Sequence, residues 1–93
     1  MSIQSFACKR TRALFEGERV PRWRHIEAVA LRKLAMINVA AALEDLRVPP
    51  ANRLEVLRGN RRGQYSIRIN DQFRVCFVWS AQGPSRVEIV DYH

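Results

Sequence analysis

The chain has 93 residues and 47% hydrophobic content, which suits a single domain over residues 1–93 with one modest core and leaves no room for a second. Sixteen Lys+Arg against nine Asp+Glu give a net charge of +7, and every cation except Lys9 and Lys33 is an arginine, which points to a polyanionic partner because guanidinium forks onto phosphate and stacks on bases. Cys8 and Cys76 stand alone and far apart, excluding a disulfide scaffold or zinc centre, and with no apolar leader or membrane-length run the expected location is cytoplasmic.

In chain order, Ile3 to Phe6 reads as a short opening strand. Lys9 to Glu16 reads as a basic helix with Ala13, Leu14 and Phe15 on its apolar side, closed at Gly17. Pro21 suits the first turn of a second helix, where its missing N–H costs nothing. Ile26, Ala30, Leu34, Ile37 and Ala41 recur at helical spacing with Arg24, Glu27 and Asn38 turned away, predicting an amphipathic helix to about Leu43 before Pro49-Pro50 stops it. The second half changes period. Leu54 to Leu57 is a brief strand; Tyr65, Ile67 and Ile69 alternate with polar residues, as do Phe73, Val75, Phe77 and Trp79 with Arg74, Cys76 and Val78. Asn70-Asp71-Gln72 turns between them, and Gln82-Gly83-Pro84 turns into a last strand, Arg86 to Val90. The expected fold is α+β: two N-terminal helices packed on one face of a small, mostly antiparallel sheet.

The same alternation sorts the charges. If Tyr65, Ile67, Phe73 and Val75 face the helices, Arg68, Arg74 and Glu55 face away, and Tyr92, three residues past Ile89, joins them. Asp91 and His93 lie at the edge of that face, and Arg58, Arg61 and Arg62 sit in a Gly59-to-Gly63 loop beside it. A solvated polar face on an antiparallel sheet is common and needs no function. It does not account for a carboxylate, a phenol and an imidazole arriving together at Asp91-Tyr92-His93, since a hydrophobic core has no use for them. Cleavage of RNA without a metal does: it needs a base for the 2′-hydroxyl, cations for the phosphorane charge and an acid for the 5′-oxygen. Imidazole exchanges protons near neutral pH, so His93 suits either proton role, with Glu55 as a further base, Tyr92 as hydrogen-bond donor, stacking ring or a base if neighbouring arginines lower its pKa, and Arg74 helped by Arg68 against the phosphorane. Lys9, Arg10 and Arg12 form a second phosphate-binding candidate, whereas Trp23 and Trp79 read as core, His25 as an exposed helix residue and Cys76 as a small packing residue. The glycine-flanked loop is no P-loop, lacking the Lys-Ser/Thr ending and a following helix.

The stretch RVPPANRLEVLRGNRRGQYSIRINDQFRVCFVW with the ending VEIVDYH resembles the HigB toxins, a branch of the RelE/ParE toxin–antitoxin superfamily. The similarity covers essentially the whole chain and rests on Leu57-Arg58-Gly59, Gly63, Tyr65 to Asn70, Arg74 and Asp91-Tyr92-His93. It implies a ribosome-dependent mRNA endonuclease that cuts the codon in the decoding site, needs no cofactor or metal, and has no membrane partner. It also implies neutralisation by a helix-turn-helix antitoxin of the HigA type, in a heterotetrameric complex that binds operator DNA through the antitoxin. By the resemblance, Tyr92 and His93 match the terminal catalytic pair, Asp91 the acidic residue before them and Arg74 an arginine near the scissile phosphate. Gln72 falls where relatives carry an asparagine, and Glu55 where some HigB toxins carry a histidine; a carboxylate can accept a proton there but cannot donate one as imidazolium does. Two other readings fit the residues: a ParE-like poison of DNA gyrase that cuts no RNA, and a non-catalytic RNA- or protein-binding module.

Overall fold

The computed structural model describes residues 2–92. Helix α1 (Lys9–Phe15) puts Leu14 into the core and stops at Gly17, whose φ of +96° is the left-handed conformation that glycine tolerates best. The Gly17 amide donates to the Leu14 carbonyl and the Glu18 amide to the Ala13 carbonyl, the paired bonds of a Schellman motif. Pro21 opens a 3-10 segment (Pro21–Ile26) that kinks at Trp23 before α2 (Glu27–Val39). Ala30, Leu34 and Ile37 are the buried stripe of α2, as its periodicity predicts.

That helix ends at Val39, short of the expected Leu43. The side chain of Asp45 accepts bonds from the amides of Ala41 (2.9 Å) and Ala42 (3.1 Å), capping a separate 3-10 turn (Leu43–Arg47) that competes with continued helix. Ala41, expected on the buried stripe, is exposed.

Four strands follow: β1 (Glu55–Val56), β2 (Tyr65–Arg68), β3 (Phe73–Ser80) and β4 (Gly83–Asp91), antiparallel and in spatial order β1-β2-β3-β4. The side-chain oxygen of Asn70 accepts from the amides of Gln72 (2.8 Å) and Phe73 (2.7 Å), which fixes the turn between β2 and β3. A bulge in β4 shifts its register between Cys76 and Val78 and coincides with Arg86 at φ +51°.

The opening segment, expected as a strand, makes a parallel bridge from Phe6 to Val87 and no extended ladder. It nonetheless seals the outer edge of β4. The Val87 amide donates to the Ser5 carbonyl, the Arg86 amide to the Ser5 hydroxyl, and the Ile89 amide to the hydroxyl of buried Thr11 (3.0 Å). The helices and the inner sheet face share one core, with Leu14, Leu34, Ile37, Ile67, Val75, Phe77 and Val87 fully buried; each such side chain contributes about 1.5–3 kcal/mol.

Candidate active site

The strand register places side chains in rows on the sheet face away from the helices. Glu55, Ser66, Cys76 and Glu88 are paired one after another across the four strands, and Arg68, Arg74 and Val90 form the adjoining row. Arg74 is the centre of the arrangement. Its Nε donates to the Ser66 hydroxyl (2.7 Å) and one terminal nitrogen to the Arg53 carbonyl (2.6 Å), so the guanidinium is held from two sides. That nitrogen lies 3.7 Å from a Glu55 carboxylate oxygen, and the guanidinium carbon is 5.5 Å from the centre of the Tyr92 ring. Arg74 is only 7% exposed, while Tyr92 is 45% exposed and the Glu55 side chain 50%. A fixed positive charge therefore underlies a solvent-facing phenol and a solvent-facing carboxylate. A cation–π contact of this kind is worth about 0.5–2 kcal/mol, increasing as the pair is desolvated.

The face is less open than strand alternation alone predicts. The loop after β1 folds over it through a 3-10 turn (Gly59–Arg61), and Arg61 donates to Glu88 and to Gln64, both at 3.1 Å. Cys76 is fully buried as a result, and that burial pushes its thiol pKa up. Arg61, expected as a phosphate contact, thus clasps the loop to β4, while Arg58 and Arg62 stay exposed. Arg68 is paired with Asp71 in the turn, and this hydrogen bond and charge hold the Asp71 carboxyl below its usual range.

The remaining candidates separate. Asp91 pairs in register with Phe73, on the helix side of the sheet, where it accepts a bond from the Gln72 side-chain amide (3.0 Å) and lines a hollow with Arg22, Trp23, Phe73 and Ile89. The Gln72 carbonyl accepts from the Tyr92 amide, so Gln72 fastens the end of β4. Lys9, Arg10 and Arg12 lie on α1, whose Thr11 binds the outer edge of β4; Arg12 is engaged with Glu16 (3.7 Å) and the Phe6 ring. His93 is outside the described residues. Glu55, Arg74 and Tyr92 are brought together, with Arg68 alongside.

Ser66, Arg53 and the pair Lys33–Asn52 escape a reading of the sequence. Ser66 occupies an outward strand position, where a hydroxyl reads as ordinary polar surface, and Arg53 acts through its backbone oxygen. Trp23 is buried, Trp79 is packed at the core edge and His25 is exposed, as the sequence predicts. Among the described residues no helix is long and apolar enough to cross a membrane.

Comparison with known proteins agrees with this architecture. Residues 4–93 match the family of HigB-like toxins, described as RelE-like toxins of the type II toxin–antitoxin system HigB. Over 54 residues the chain is 50% identical to Toxin HigB-1 of Vibrio cholerae, covering 58% of this chain and 57% of that protein. Over 51 residues it is 47% identical to an uncharacterized protein of Haemophilus influenzae, covering 55% of this chain and 50% of that one. The chain thus spans about half the length of these relatives. In three dimensions it resembles a chain of the YoeB–YefM complex from Staphylococcus aureus, with a TM-score of 0.59 and 16% identity over 100% of this chain and 97% of that one, a likeness of fold. With the family match running over nearly every residue and the expected α+β fold in place, the chain belongs to the HigB-like toxins, the RelE-like branch of type II toxin–antitoxin toxins.

Proposed function

We propose that this toxin is a ribosome-dependent mRNA endonuclease that enters the decoding site and cuts the codon held there. The observation that carries the proposal is the buried Arg74 guanidinium, 5.5 Å from the ring centre of Tyr92 and 3.7 Å from Glu55, with both of those side chains open to solvent. In-line cleavage transfers the 2′-hydroxyl proton to a base, forms a bond from the 2′-oxygen to phosphorus and breaks the bond to the 5′-oxygen, which takes a proton. On this reading Glu55 accepts the first proton, Arg74 offsets the phosphorane charge, and Tyr92 hydrogen-bonds or stacks against the nucleotide. The sequence suits His93 to either proton role, and with Glu55 as the base we assign it the acid. One positioned acid or base supplies about 10²–10⁴-fold and one positioned electrostatic donor about 10²–10³-fold. Orientation of the substrate is the large remaining contribution, and on this reading the ribosome supplies it. Arg58 and Arg62 would hold ribosomal RNA by phosphate contact. Membership of a toxin–antitoxin family supports a neutralising antitoxin, which we assign to the helix-turn-helix HigA type.

The test is 5′-end mapping of an mRNA in a reconstituted translation system, using the chain with no tag after His93. Cuts inside codons, on translated messages alone, are the expected result. Intact message beside double-strand breaks in gyrase-bound DNA would replace the nuclease with a gyrase poison, and salt-dependent RNA binding with no cut would leave a binding module.

A further inference from the structure

The proposed chemistry leaves one deeply placed polar pair unused. Lys33, in the middle of α2, is 6% exposed, and its ammonium donates to the side-chain oxygen of Asn52 at 2.6 Å. Asn52 is 0% exposed, and its amide donates in turn to the Leu46 carbonyl at 3.1 Å. Desolvation, with the nearby charges of Arg32 and Arg68, lowers the Lys33 pKa from its ordinary 10.5, so the charge stands there at a cost. Packing does not require it: Ala30, Leu34 and Ile37 already form the apolar stripe of α2, and an unbranched apolar side chain would fill the same space.

The use of the pair emerges one residue further along. Asn52 closes a 3-10 turn (Pro50–Asn52) in which the Asn52 and Arg53 amides donate to the Pro49 and Pro50 carbonyls. Arg53 then takes up the left-handed conformation (φ 47°, ψ 57°), where a non-glycine residue is strained, and its carbonyl accepts the 2.6 Å bond from Arg74. Two residues later comes Glu55. Anchoring the turn to α2 through Asn52 therefore fixes the carbonyl that aims the Arg74 guanidinium and the start of the strand that presents the carboxylate.

We infer that Lys33 and Asn52 are positioning residues, clamping the Pro50–Asn52 turn so that the Arg53 carbonyl holds Arg74 beneath Tyr92 and beside Glu55. The inference rests on the nuclease reading for its effect on cutting, but its geometric content stands without it. The decisive variant is the double substitution Lys33→Met/Asn52→Leu, which leaves no half of the Lys33–Asn52 bond unpaired and takes a donor from the Leu46 carbonyl; Lys33→Met alone, which keeps the Asn52 bond to Leu46, is the second variant should the double one fail to fold. Three quantities are measured on the full chain: affinity for ribosomes, the single-turnover cleavage rate, and hydrogen exchange of the Arg74 Nε–H by NMR. The expected result is unchanged affinity, cleavage slower by roughly 10- to 100-fold, and faster exchange at Arg74 Nε–H with the β3 amides still protected. A folded variant with wild-type cleavage and wild-type Arg74 exchange would make the pair purely structural and overturn the inference. If the unmutated chain itself does not cut, the nuclease reading fails and Arg74 exchange alone decides the matter.

Discussion

The proposed division of labour between Arg74 and Tyr92 makes the phenol separable from its ring. Tyr92→Phe keeps an aromatic face over the Arg74 guanidinium and removes only the hydroxyl. If that hydroxyl assists the chemistry, the variant should bind ribosomes normally and cut about 10²-fold more slowly in single turnover; an unchanged rate would reduce Tyr92 to a stacking surface. The convergence of Glu55, Arg74 and Tyr92 was readable from period-two parity, because one residue of error would have moved each to the other face. Asp91 was misplaced by departing from that parity: it shares the parity of Ile89, and the register with Phe73 puts it on the helix side. The partners that aim Arg74 were not readable, since a serine hydroxyl and a backbone carbonyl carry no mark in a sequence. At Cys76, burial both raises the thiol pKa and blocks access. Alkylation of the native protein at mildly alkaline pH should therefore label half-buried Cys8 and leave Cys76 unmodified until denaturant is added, as peptide mass spectrometry would report.

At the level of elements, capping decides what hydrophobic periodicity cannot. Strands β2 and β3 follow their alternating pattern, and α1 stops where its glycine predicts. Helix α2 does not run on to Leu43, although Ala41 continues the apolar spacing, because the Asp45 side chain takes two amides that a longer helix would have used. The loop over the sheet was equally hidden: Arg61 and Glu88 are 27 positions apart and meet only because β4 lies across the face from β1. Gly17 gives the cleanest energetic test. Space for a side chain exists there, with nothing within 4 Å of an added Cβ, so Gly17→Ala isolates the backbone cost of φ +96°. That cost is about 1–2 kcal/mol. Each kcal/mol lowers Tm by about 4–8 °C in a domain of this size, so thermal unfolding should shift by roughly 4–16 °C.

For the whole molecule, charge is distributed unevenly. The acidic side chains Glu16, Glu44, Glu55, Asp71 and Glu88 are paired with arginines, whereas Arg58 and Arg62 remain exposed on the loop above the site. If those two meet ribosomal phosphates, the slope of log affinity against log salt should fall by roughly 1.5–2 in the Arg58→Ala/Arg62→Ala double variant. An unchanged slope would move the RNA contact elsewhere. The sheet's two margins are just as unequal. Ser5 and Thr11 occupy the amides along β4, while β1 is two residues long with Val56 67% exposed. Strand-by-strand polymerisation needs two receptive ends on every subunit. Here the opening segment covers the β4 end and brevity blunts the β1 end, so each margin is guarded against strand addition by a different means.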